Sequence, residues 1–265
     1  MNDTIAGAAD YLMNVIREDG SWGDGDSFVC ARAVAALDAA GGDEKAKAAG
    51  ISYLENQQAE DGHFPGRSGM YSDAACTAYT LLVLNRFHYS KASLPASRGL
   101  LWLLENQRAD GSWGGKNLVK TAYTTSLCLR ALYVYNMDGI EKYRRALGLV
   151  LDRIADPGFF HEPVSHVYGP VLNLQRAGRL PGEARTAFIS YAEDRLCSAF
   201  DGGQTADVAY LAGTLGALGD METCDIGADW LSAARNADGG FGKDVSAASD
   251  PNWTALVVLA LTNNL

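Results

Sequence analysis

Glu105-Asn106-Gln107-Arg108-Ala109-Asp110-Gly111-Ser112-Trp113-Gly114 decides the reading of this chain, because it ends an apolar helical stretch, turns, and recurs. Just ahead of it, Gly99-Leu100-Leu101-Trp102-Leu103-Leu104 begins a run whose apolar positions fall on one broad helical face with polar residues opposite. The Asp-Gly pair at its centre returns at Asp19, Asp61, Asp201 and Asp238, with a degenerate copy at Asp156-Pro157-Gly158. After each copy comes a short loop and a strongly apolar helix ending in a leucine: Leu37, Leu84, Leu132, Leu174, Leu218 and Leu261. These leucines stand 42 to 48 residues apart, the length of two helices and two turns.

The helices that follow the turns, such as Thr77-Ala78-Tyr79-Thr80-Leu81-Leu82-Val83-Leu84 and Thr254-Ala255-Leu256-Val257-Val258-Leu259-Ala260-Leu261, are apolar nearly all round. They belong inside, and the amphipathic helices that precede the turns belong outside. Neither the first nor the last unit carries the polar capping helix that an open stack needs, so the six units are expected to close into a ring. The predicted fold is all-α, an (α/α)6 toroid. With no Pro- or Ser-rich linker, residues 1–265 read as a single domain.

Composition agrees: 48% hydrophobic, 20% charged, 29 Gly and only 7 Pro suit helices separated by glycine turns. A net charge of -10 with no Lys/Arg cluster argues against nucleic acid and anionic membrane surfaces as partners. Met1 to Met13 carries Asp3 and Asp10 and no long apolar run, so neither a signal peptide nor a membrane span is expected and the chain reads as cytoplasmic. Five scattered cysteines without a C-x-x-C pair read as buried free thiols.

The turns Glu105 to Gly114 and Glu55-Asn56-Gln57-Gln58-Ala59-Glu60-Asp61-Gly62-His63-Phe64 resemble the Gln-Trp repeats of squalene and hopene cyclases, with further copies at Arg17 to Gly23 and Arg235 to Gly242. The resemblance extends to the protein prenyltransferases, which use the same turns and ring. It implies that Gln57, Gln107, Trp22 and Trp113 are stability residues, with glutamine tying neighbouring outer helices and the aromatic packing beside it. Fold alone leaves the chemistry open.

Counting back from the anchor leucines places the starts of the inner helices at Asp26, Asp73, Thr121, Pro163, Asp207 and Asp250. Aspartate is a preferred N-cap, and capping is the competing reading for each. The resemblance implies a second role, since cyclases started by protonation keep a D-x-D-D-T-A segment here whose middle acid is the proton donor. Asp73-Ala74-Ala75-Cys76-Thr77-Ala78 and Asp250-Pro251-Asn252-Trp253-Thr254-Ala255 keep the first Asp and the Thr-Ala, but Ala75 and Asn252 replace the middle acid. Zinc-dependent protein prenylation is rejected because Ala209 and Trp253 stand where the family's Cys and His ligands would be; no metal and no cofactor are expected. A thioester domain is rejected too, since no Cys is followed closely by Gln.

The candidate catalytic set is therefore Asp26, Asp73, Asp207 and Asp250, with His166, from the irregular fourth unit, as the partner of one of Asp26, Asp207 or Asp250. Asp24 beside Asp26 adds a weak carboxylate pair. Phe28, Tyr71, Tyr123, Tyr168, Tyr210 and Trp253 lie close to the inner-helix starts and are the candidate substrate-binding residues, either core or the walls of an apolar cavity. Arg67, Lys116 and Lys120 are the basic residues available to a diphosphate. Two functions follow as expectations: acid-promoted cyclisation or rearrangement of an isoprenoid or other apolar substrate, or a noncatalytic ring that binds an isoprenoid or docks a protein partner or second copy.

Overall fold

The computed structural model describes residues 2–67, 69–114 and 118–265, and the described residues contain twelve α-helices and no strand. Six are outer helices: α1 (Asn2–Asn14), α3 (Glu44–Gln57), α5 (Leu94–Glu105), α7 (Glu141–Ala155), α9 (Gly182–Asp201) and α11 (Met221–Ala233). Six are inner: α2 (Ser27–Ala39), α4 (Asp73–Arg86), α6 (Leu118–Val134), α8 (Val164–Arg176), α10 (Thr205–Leu218) and α12 (Pro251–Leu261). Each inner helix packs on the next, and α12 packs back on α2, so the ring closes as an (α/α)6 toroid.

Inner helices are buried over most of their surface, as their apolar sequences demand; in α10 every residue but Asp207 and Ala217 is buried. Outer helices bury one stripe, such as Ala96, Gly99, Leu100 and Leu103 of α5. The inner helices begin near the expected positions, with α4 at Asp73 and with Asp26, Pro163 and Asp250 as caps. Two starts differ. Helix α6 begins at Leu118 rather than Thr121, and α10 begins at Thr205, so Asp207 is its third residue and not its cap.

The Asp-Gly turn is what spaces the helix pairs. Gly20, Gly62, Gly111 and Gly239 all take positive φ, between 85° and 102°. A Cβ on Gly20 would stand 2.5 Å from the Ala49 carbonyl oxygen, on Gly62 2.6 Å from that of Arg98, and on Gly239 2.5 Å from that of Gly7. Glycine is thus required twice over, for backbone conformation and for close approach to the next outer helix. The Gly239 contact joins the sixth unit to α1 and forms the seam of the ring, reinforced by Arg235 Nη1 donating to the Asp3 carbonyl at 2.8 Å.

The turn aromatics are buried and anchored as expected. Trp22 Nε1 donates to Leu12 O (2.8 Å) and Trp113 Nε1 to Leu103 O (2.6 Å), satisfying carbonyls in the last turns of α1 and α5 that have no helical partner. Gln107 Nε2 bridges Gly111 O (2.9 Å) and Lys142 O (2.8 Å), which ties α5 to α7. In the second unit this role falls to Gln58, bonded to Gly62 O (2.9 Å) and Pro95 O (2.8 Å), and not to Gln57, which pairs with Arg67. The registers align on the Asp-Gly pair, which puts Gln58 opposite Gln107.

The Thr of the Thr-Ala pairs also has a structural task. Thr77 Oγ1 accepts Phe64 N–H at 2.9 Å, and Thr254 Oγ1 accepts Phe241 N–H at 2.9 Å. Thr125 does the same for Trp113 at 3.1 Å, without a D-x-D-D-like segment before it. At the far end of the ring, residues 262–265 lie across the inner helices, held by Arg86, Arg130 and Arg176 through Asn264 Oδ1 (3.0 Å), Leu265 O (3.2 Å) and Asn263 O (2.8 Å). Burial pulls the Arg130 guanidinium down to about 10. Cys30, Cys76, Cys128 and Cys224 are buried thiols as expected, whereas Cys197 is exposed. No described helix is long and apolar enough to cross a membrane.

Candidate active site

All six inner helices start at one end of the ring, and a cavity of about 830 Å³ opens there. Its wall is built from Tyr71, Ser72 and Ala75 at the start of α4, Tyr123 and Thr124 of α6, Ser165, His166 and Tyr168 of α8, Ala206, Asp207 and Tyr210 of α10, and Trp253 of α12. Loop residues Gly69, Met70, Gln204, Lys243 and Asp244 complete the rim. Five of the six predicted aromatics therefore line one space. Phe28, the sixth, is fully buried behind it, stacked on Tyr71 at 3.8 Å between ring centroids and on Tyr79 at 4.4 Å.

The aromatic wall is a packed set. Tyr168 stacks on Tyr210 at 3.9 Å and meets Tyr123 at 5.7 Å. Gly169 makes this possible, since a Cβ there would lie 2.2 Å from the Tyr123 ring. Burial raises the phenol pKa of Tyr71, Tyr123 and Tyr168, so these hydroxyls stay protonated. Aromatic faces in such a space stabilise a cation by about 1–2 kcal/mol each.

The four candidate aspartates separate. Asp207 lines the cavity, and burial raises its pKa against the lowering influence of Lys243 and Arg195. It also borders an adjoining hollow of about 330 Å³ shared with His161 and Arg195. The other three do not line the cavity. Asp26 is fully buried as the α2 cap, its Oδ1 accepting Phe28 N–H at 2.9 Å and its Oδ2 accepting Arg67 N–H at 3.0 Å. Asp73 is exposed and holds Gly66 N–H at 2.9 Å, while the α4 cap is Ser72. Asp250 caps α12 through Asn252 N–H (2.8 Å) and Trp253 N–H (3.4 Å). Asp24 is exposed and accepts the Asp26 N–H at 3.4 Å.

His166 shares the cavity with Asp207 alone among the aspartates proposed as its partner. Its Nδ1 lies 4.0 Å from Glu162 Oε2, and Glu162 is itself paired with Arg153. Among the described residues no group of three or more His, Cys, Asp or Glu converges as a metal site. Lys116 and the Lys120 side chain lie outside the described residues.

Sequence reading passed over Arg32. It sits in the second turn of α2, is 2% exposed, and has no carboxylate within ion-pair distance among the described residues. Its Nη1 donates to Asn252 Oδ1 at 2.8 Å and reaches the Tyr71 hydroxyl at 3.5 Å, while Nε has no partner. The guanidinium carbon lies 4.7 Å from the Phe28 ring centre, 5.8 Å from Tyr79 and 5.9 Å from Tyr71. Such contacts return up to about 2 kcal/mol each. A buried ion costs several kcal/mol, so they offset the burial in part. The available signal was a lone charge in the middle of Ser27-Phe28-Val29-Cys30-Ala31-Arg32-Ala33-Val34, a segment otherwise fit for complete burial.

No protein family matches this sequence, and no curated protein matches it. Solved structures do. A protein from Actinoplanes superposes with a TM-score of 0.74 at 15% identity over 98% of both chains. The type II terpene cyclase MstE from Scytonema gives 0.72 at 13% identity over 99% of this chain and 98% of that one. The ent-copalyl diphosphate synthase from Streptomyces platensis gives 0.59 at 20% identity over 90% of this chain, which spans 50% of that protein. At these identities the likeness is one of architecture: this chain has the fold of the type II terpene cyclases.

Proposed function

We propose that the chain is an enzyme that takes an isoprenoid or similarly apolar chain into the cavity and cyclises or rearranges it by protonation, with Asp207 as the proton donor. The observation that carries this reading is the position of Asp207: it is the candidate carboxylate on the cavity wall, beside five aromatic rings, and burial favours its protonated form. Tyr71, Tyr123, Tyr168, Tyr210 and Trp253 would shield the cation from water and stabilise it. His166 would act as a positioning or proton-returning group across the same space. The fold gives further support, since MstE with this architecture binds geranylgeranyl dihydroxybenzoate as substrate.

The second reading is a noncatalytic ring that binds an isoprenoid. Ala75 on the cavity wall and Asn252 beside Arg32 favour it, because both occupy the place where the resemblance puts the middle acid. One experiment separates the two. Wild type, Asp207→Asn and His166→Ala are incubated with polyprenyl substrates, products are followed by mass spectrometry, and binding is measured in parallel. Product from wild type that is lost in Asp207→Asn supports the enzyme. Binding by all three proteins with no product from any supports the noncatalytic ring.

A further inference from the structure

We infer that Arg32 and Asn252 form a seat for an anionic head group, so that the cavity's ligand is an amphiphile with a carboxylate at one end and an apolar tail. This rests on the proposed apolar cavity and names the class of ligand it takes.

The geometry is that of a positive charge held ready and left uncancelled. Arg32 is always protonated at physiological pH and, 2% exposed among Phe28, Tyr71 and Tyr79, keeps a charge that bulk solvent screens little. Its hydrogen-bonded neighbour is a neutral amide, Asn252, 4% exposed, and not the carboxylate that the same position would hold in a D-x-D-D segment. An Asp there would make an internal ion pair and close the site. Asn252 instead accepts one N–H and leaves the charge uncancelled, with the buried Nε–H lacking a partner. A planar guanidinium with a free edge matches a carboxylate in two parallel hydrogen bonds.

Access is through the aromatic wall. Tyr71, whose hydroxyl lies 3.5 Å from Arg32 Nη1, itself lines the cavity. Its ring stacks on Phe28 at 3.8 Å and its hydroxyl also lies 3.5 Å from Asn252 Nδ2, so the head group takes the place that this hydroxyl holds beside Arg32 and Asn252. The wall on this side is aromatic and aliphatic, which suits the tail. The proposed reaction also gains from this anion: Tyr71 borders both Arg32 and the cavity, so an uncancelled guanidinium there repels a cation developing on the cavity side, and a bound carboxylate removes that repulsion.

The test uses farnesoic acid, farnesol and palmitic acid as probes, with binding measured by calorimetry at neutral pH on wild type, Arg32→Met and Asn252→Asp. The first variant removes the charge and the second cancels it from inside. Cooperative melting of each variant is checked first, and Asn252→Asp, which keeps Arg32 and gives it a partner, serves if Arg32→Met does not fold. Wild type is expected to bind farnesoic acid at least about tenfold more tightly than farnesol, with the ratio falling to about one in both variants. Equal affinity for acid and alcohol in wild type, or a preference for the acid that survives both substitutions, overturns the anion seat and leaves the apolar cavity intact. Palmitic acid binding as tightly as farnesoic acid supports the seat and shows that the cavity does not select an isoprenoid tail. Failure of all three probes to bind overturns both.

Discussion

Gly239→Ala tests the closure of the ring at its seam. The glycine has φ +89°, and an added Cβ would stand 2.5 Å from the Gly7 carbonyl oxygen and 3.1 Å from its carbon. The left-handed conformation costs a non-glycine residue about 1–2 kcal/mol. The backbone of α1 cannot rotate away as a side chain would, so crowding adds about 1–3 kcal/mol. A total of about 2–5 kcal/mol lowers the melting temperature by roughly 10 °C for a chain of this length. Gly41→Ala is the control, because Gly41 has φ +69° with nothing within 4 Å, and only the conformational cost of about 1–2 kcal/mol applies. Gly62→Ala, inside the ring at 2.6 Å from Arg98 O, should match Gly239→Ala. Calorimetric melts of the three variants decide the matter. If Gly239→Ala loses no more than Gly41→Ala while Gly62→Ala loses the full amount, α1 does not seal the ring in solution and the closure argument is wrong.

Three further outcomes are expected. Asp207 has a folded pKa raised above 3.8 by burial, so its stabilising contribution is complete below 3.8 and is lost as pH rises through the folded value. Asp207→Asn should therefore melt no lower than wild type at pH 7, with any gain shrinking toward pH 4 in a series of melts; a clear loss at pH 7 would contradict the burial argument. Thr77→Val leaves the Phe64 N–H buried without its acceptor and should cost about 1–3 kcal/mol by denaturant titration, with ligand affinity unchanged. Asp250→Ala removes the α12 cap and should cost about 1 kcal/mol without abolishing turnover, and complete loss of turnover in a folded protein would return Asp250 to the catalytic set.

The architecture was readable because its causes are local and repeated. An Asp-Gly turn with a following apolar helix signals itself in five units and in degenerate form in the fourth, and the largely apolar helices leave no place but the interior. The site was readable only as a region. Counting to the inner-helix starts found the rim, yet Asp26, Asp73, Asp207 and Asp250 look alike in sequence, and their roles depend on rotations of a residue or two. Asp207 enters the wall because α10 starts two residues early and turns its third residue inward. At true cap positions, Asp26 spends both oxygens on backbone N–H groups and Asp250 spends its Oδ1 on two. The Thr-Ala pairs that suggested a catalytic segment are explained by the turn they fasten. Arg32 was missed because no pattern of neighbours marks it; its meaning comes from Asn252, 220 residues away.

The seam between Gly239 and Gly7 has a consequence for how the molecule comes apart. An open stack of helix pairs can fray from either end, one unit at a time, since an end unit has one neighbour to lose. Here the first helix is clasped by the sixth unit's turn, so every unit has two neighbours and none can leave without breaking both interfaces. Loss of structure at any point is thereby coupled to the whole circle, and partial melting of a single pair, the ordinary weakness of repeat proteins, is suppressed.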